Sequence, residues 1–166
     1  MGLDMMLIRR KKGVKDFEDW YENGDEIMYW RKANAVHKWF VDNVQGGEDD
    51  CGYYLVTKEQ LEQLKEIYRK IVYGVKLKSA QVKNGYTLEK NEDGTFEKVY
   101  NYEDGVVISN PELCEELLPT QEGFFFGSYD YDTWYLRDIE ATFYKLDMLL
   151  TLFDFNSNDL YYHSSW

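Results

Sequence analysis

The chain has 166 residues and a formal net charge of -12, from 19 Lys and Arg against 31 Asp and Glu. That length suits a single domain with a sizeable core, and a hydrophobic content of 44% excludes a disordered acidic tail. The negative field disfavours direct binding to nucleic acid or to an anionic membrane, and no apolar stretch approaches the ~18 residues of a membrane helix.

The apolar density of "GLDMMLIRR" at the start predicts a buried strand. The run "RRKKGVK", residues 9 to 15, carries five cations and no acid, either a solvated face or a patch that holds an anion. A turn or short helical segment follows, closed by Asn23 and Gly24. Residues 29 to 44, "YWRKANAVHKWFVDNV", read as the first long helix, ended by the glycines of "QGGEDDCG". Residues 57 to 73 read as the second helix. Thr57 and Gln60 there have capping-box spacing, and Leu61, Leu64, Ile67, Tyr68, Ile71 and Val72 share one face. "YTLEK" and "TFEKVYNY" flank an Asp93-Gly94 turn and predict a β-hairpin, with "GVVIS" as a third strand. Next come a short helix at "NPELCEELL", with Asn110 as its cap and Pro111 in its first turn, and an apolar strand at "GFFFGS". A long helix from about Asp132 to Phe153 is capped by Asp130 or Asp132, and the tail "NSNDLYYHSSW" is short and polar-aromatic. The expected fold is α+β: three main helices, a small antiparallel sheet and a peripheral hairpin (80–105, a possible insertion) in one domain spanning 1–166.

On a helical wheel of 29 to 44, Tyr29, Trp30, Ala33, Val36, Phe40, Val41 and Val44 gather on one arc, with His37 inside it and Asn34 at its edge. A buried imidazole needs hydrogen bonds. It is therefore either a satisfied core histidine or part of a pocket. In the second case Asn34 and His37 supply hydrogen bonds, Arg31, Lys32 and Lys38 supply positive charge, and Trp30 or Trp39 supplies a stacking surface for a planar ring. The neutral donors Thr120 and Gln121 of "LPTQEGFFFGSYDYD" are candidates for the rim of such a pocket. The acids of "EDD" at 48 to 50 and of "NEDG" at 91 to 94 read as loop and turn residues, so no metal site and no cofactor is expected. GxxxxGK[ST], GxGxxG, HExxH and GxSxG are all missing, and His37 and His163 are the only histidines. An enzyme of a common hydrolase or transferase class is disfavoured and no catalytic residue is assigned. Cys51 and Cys114 show neither CxxC nor metal spacing, as expected of free thiols in a reducing cytoplasm.

"MGLDM", "YWRKANAVHKWFVDNVQ", "DDCGYY", "LPTQEGFFFGSYDYD" and "WYLRDIEAT" resemble a family of uncharacterised proteins of phages and prophages. Members often begin MGLDMYL, and Met6 here stands at the tyrosine's position. The resemblance covers roughly two thirds of the chain and is poorest over 76 to 110. It implies a phage accessory protein in the cytoplasm of a bacterial host, with no activity attached. Three functions fit these features. The first is a non-enzymatic protein that sequesters a small anionic, nucleotide-like ligand and so counters host defence. The second is an acidic mimic of nucleic acid that occupies a host nuclease or another DNA-binding defence protein. The third is a nucleotide-acting enzyme using His37. The first is preferred, because a mimic needs surface acids but does not need His37 and Asn34 among aromatic residues.

Overall fold

The computed structural model describes residues 2–22, 25–123 and 126–166. The chain runs β1 (Asp4–Lys11), β2 (Glu26–Arg31), α1 (Asn34–Asn43), β3 (Tyr53–Val56), α2 (Lys58–Gly74), β4 (Leu77–Lys90), β5 (Phe96–Ile108), α3 (Glu112–Leu117), α4 (Thr133–Leu152) and β6 (Asn158–Ser165). This is an α+β fold with two separate antiparallel sheets, one of order β2-β1-β6-β3 and one made of β4 and β5 alone.

The four-stranded sheet is built on its two innermost strands. β1 pairs with β6 from Asp4 opposite Ser165 to Lys11 opposite Asn158. β2 and β3 then flank this pair. The registers place Met5, Leu7, Met28, Trp30, Val56, Leu160 and Tyr162 on one face, where they join the main core. The opposite face is also covered. Phe17, from the segment after β1, stacks on Tyr53 at 4.0 Å and meets Tyr161 edge-on at 4.9 Å. Both faces of β1 and β6 are therefore largely buried, and neither strand shows the alternation of a half-exposed one.

α2 packs its Leu61, Leu64, Tyr68 and Ile71 face into the core. Its capping box is complete: Thr57 Oγ1 accepts from the Gln60 amide and Gln60 Oε1 accepts from the Thr57 amide. α4 begins at Asp132, whose buried carboxylate accepts from the Trp134 amide.

Several expectations change. The segment 29 to 31 is the end of a strand, and the helix begins only at Asn34. Lys32 makes the corner with φ of 60°, a left-handed backbone that breaks both patterns. The tail is not a loose end but β6, an inner strand. "GVVIS" continues β5 and adds no third strand. Asn110 does not cap α3 with its side chain. Its Oδ1 accepts from the Lys76 amide and its Nδ2 donates to the Gly74 carbonyl, closing the exit of α2. Asp130 pairs with Lys83 and leaves the α4 cap to Asp132. Gly123 and Phe126 to Ser128 are not in a strand, while Phe124 and Phe125 of that expected strand, and the Asn23-Gly24 turn, lie outside the described residues.

The hairpin is longer than expected, spanning 77–108. Its base is keyed to α4. Thr133 Oγ1 bonds both the amide and the carbonyl of Val106, Trp134 Nε1 donates to the Lys83 carbonyl, and the Ile108 amide donates to the Tyr131 carbonyl. Gly105 makes this joint possible, since a Cβ there would lie 2.7 Å from Thr133 Oγ1 and from Val82 Cγ2. Beyond the joint every residue from Asn84 to Tyr102 is exposed except half-buried Asn91. That distal ribbon extends about 25 Å at the usual strand rise.

Candidate functional site

The expected site residues do not come together in one site. His37 is fully buried. Its Nδ1 lies 2.7 Å from Tyr162 Oη and its Nε2 3.0 Å from Asp49 Oδ1. A carboxylate only accepts, so Nε2 carries the proton to Asp49 and Nδ1 accepts from the tyrosine hydroxyl. Burial holds the His37 pKa below the ordinary histidine value against the pull of Asp49, and burial likewise raises that of Tyr162. His37 is thus a satisfied core histidine. Asp49 gathers two more donors, Gln121 Nε2 at 3.2 Å and Trp166 Nε1 at 3.2 Å. Gln121 therefore works as a partner of Asp49. The sequence offers no signal for Asp49, Tyr162 or Trp166 as partners of His37, because they come from a loop and from the far end of the chain.

Asn34 is also buried and fully used. Its Oδ1 accepts from the Gln121 amide, and its Nδ2 donates to the carbonyls of Phe126 and Ser128. It ties the 118–132 segment to the start of α1. Trp30 is a core residue whose Nε1 donates to Thr142 Oγ1 at 2.7 Å, so its ring is not a free stacking surface.

Lys32, Asn34 and Thr120 do line one cavity, at the N-terminal end of α1, together with Ser128, Asp130 and Asp138. Its volume of about 50 Å³ suits a few waters or a small ion. Burial raises the Asp138 carboxyl to about 7. Arg31 and Lys38 lie elsewhere on the surface, Lys38 paired with Asp42 at 2.8 Å. The strand register and the corner at Lys32 explain the scatter, because a single continuous helix is what placed these side chains on one wheel.

The basic run is largely neutralised. Arg9 and Arg10 share Asp25, Lys12 pairs with Asp159, and the open groove beside Arg9, Arg10 and Lys11 carries Asp16, Asp19 and Asp25 as well. Among the described residues no group of His, Cys, Asp and Glu is arranged to hold a metal ion.

A further surface, holding none of the expected residues, is the arm formed by β4 and β5. Directly paired residues share a face, and the register pairs Tyr86 with Tyr100, Leu88 with Lys98, Lys90 with Phe96 and Lys83 with Tyr102. One face therefore carries five large apolar side chains, Tyr86, Leu88, Phe96, Tyr100 and Tyr102, interleaved with three lysines. Phe96 is 65% exposed and Leu88 61%. Lys98 Nζ sits 4.6 Å from the Tyr86 ring centre and Lys83 Nζ 5.2 Å from that of Tyr100, both within cation–π range. The other face holds Glu89 directly opposite Glu97, and Glu103 beyond them.

No family model, curated protein or solved structure matches this chain. Among the described residues, no helix is long and apolar enough to cross a membrane.

Proposed function

We propose that the protein acts by contact and without turnover, and that its working surface is the aromatic and lysine-bearing face of the β4–β5 arm. The observation behind this reading is the exposure of Tyr86, Leu88, Phe96, Tyr100 and Tyr102 on one face of a ribbon whose residues beyond the base are exposed apart from half-buried Asn91. Folding gains little from apolar side chains held in water, and contiguous exposed apolar surface is the usual mark of an interaction site. Lys83 is paired with Asp130, so Lys90 and Lys98 are the cations on this face that favour a partner with acidic residues around an apolar cleft. In the phage setting implied by the sequence resemblance, that partner is a protein of the bacterial host, and a defence protein is the natural target.

The other readings have less support. A nucleotide-sized anion exceeds the cavity at α1, which also bears Asp130 and Asp138. Four of the eight acids between residues 99 and 136 are engaged within the protein, which weakens the mimic. Asp132 is a buried cap, Asp130 pairs with Lys83, and Glu103 and Asp104 accept from Asn84 and Gln81.

The test is affinity capture from bacterial lysate with wild type and with a Leu88→Ser, Phe96→Ser, Tyr100→Ser triple variant, followed by reconstitution of the captured pair from purified proteins. The variant is expected to lose the partner while keeping the wild-type melting temperature. Equal binding of both proteins by the reconstituted partner would rule the arm face out.

A further inference from the structure

We infer that two copies of this chain pair along the distal edge of β5, joining their arms into one four-stranded sheet. This rests on the edge of the ribbon and not on what its face binds. A lone two-stranded ribbon is marginal in water, and three or more strands are the usual minimum for stability. Among the described residues the ribbon has no third strand, only an isolated bridge between Val107 and Asp132 at its base, and an uncapped edge invites one.

The two edges are not equivalent. β4 is interrupted between Lys83 and Tyr86, where two residues bulge opposite one and Gly85 takes φ of 78°. Such a bulge spoils an edge for pairing. β5 runs from Phe96 to Ile108 without a break.

The backbone direction of β5 is fixed at its base. The amides of Val106 and Ile108 point outward, to Thr133 Oγ1 and the Tyr131 carbonyl. Alternation then turns the amides and carbonyls of Tyr102, Tyr100, Lys98 and Phe96 outward too. α4 covers this edge only at the base.

An antiparallel pairing about a two-fold axis through Val99 uses those groups. It sets Lys98 against Tyr100 and Phe96 against Tyr102 of the second copy, as hydrogen-bonded pairs. Glu97 then meets Asn101, and Val99 meets Val99 as a close, non-hydrogen-bonded pair. The pairing makes cation–π and aromatic neighbours and sets no like charges opposite one another. Moving the axis by one residue loses this: an axis through Lys98 opposes Lys98 to itself, and one through Tyr100 opposes Glu97 to Glu103. Axes nearer the base, through Asn101 or Tyr102, oppose no like charges either, but they set Phe96 or Lys98 against Val106, whose amide is already given to Thr133 Oγ1. The charge pattern and the covered base together select a second copy of β5 in one register. The joined sheet presents two aromatic faces side by side.

Light scattering over a concentration series reads the mass. Wild type is expected to reach twice the 19.9 kDa of one chain. Val99→Glu and Val99→Lys, which place like charges on the axis, are both expected to stay monomeric with an unchanged far-UV spectrum. In a Cys51→Ser background, Val99→Cys is expected to form a disulfide-linked dimer on mild oxidation. Thr87→Cys, at the same height on β4, is expected not to. Wild type that stays monomeric throughout overturns the inference, as does a dimer that survives both charge substitutions or cross-links equally through position 87.

Discussion

Lys32 holds a left-handed backbone at the corner between β2 and α1, a conformation that costs a side-chain-bearing residue about 1–2 kcal/mol. Lys32→Gly removes that strain but adds freedom to the unfolded chain. The net gain is expected at about 0.5 kcal/mol, read as a rise in the denaturant midpoint at constant slope. His37 and Asp138 make opposite contributions across pH. His37 has a folded pKa below its unfolded value of 6.5, so the unfolded chain takes up the proton first. Its contribution is complete above about 6.5 and is lost as pH falls through the depressed folded value. Asp138 is raised from 3.8 to about 7. The folded state takes up the proton first, so its contribution is present below 3.8 and lost as pH rises to about 7. Asp138→Asn is therefore expected to raise the melting temperature more at pH 8 than at pH 4, and an equal shift at both would contradict the assignment. At this scale the sequence was partly legible. Both alternatives for His37 followed from its place on an apolar arc. The choice between them depended on Tyr162 and Asp49, whose proximity is a matter of topology.

Among the elements, α2 was the most readable, since its cap and its apolar face lie within one continuous segment. Thr57→Ala is expected to cost about 1 kcal/mol, and Ser at that position is expected to restore most of it. β2 misled for a physical reason. Over so few residues, Tyr29 and Trp30 satisfy a helical arc as well as a strand, and only the pairing of Trp30 with Met5 and Met28 with Leu7 decides between them. β6 gave no alternation because both of its faces are covered. The hairpin turn was legible from Asp93 and Gly94, and Asp93 does accept from the Thr95 amide at 2.9 Å. Its aromatic face was hidden until the bulge fixed which residues stand opposite. Gly105→Ala is expected to loosen the arm from α4, with faster hydrogen exchange at Val106 and Ile108 and little change in the global melt.

The whole molecule is a packed body that carries a slender extension, and the two differ in how they respond to change. Replacing 84–101 by a short turn removes only exposed residues apart from Asn91. It is expected to leave the melting temperature of the body within a few degrees of wild type while abolishing binding through the arm. A fall of ten degrees or more, at the scaling of roughly 2–4 °C per kcal/mol for a chain of this size, would mean that the arm supports the core after all.

β6 lies between β1 and β3, although it comes last of all the strands along the chain. While the protein is being made, β1 emerges from the ribosome with a partner on only one side. Its other edge must wait until residues 158–165 have left the exit tunnel. Until then Met5, Leu7 and Ile8 form an apolar strand with an open flank, the kind of segment that chaperones hold and aggregates recruit. The nascent chain is therefore committed to folding after synthesis of this region, and slowing translation earlier in the message gives it no head start.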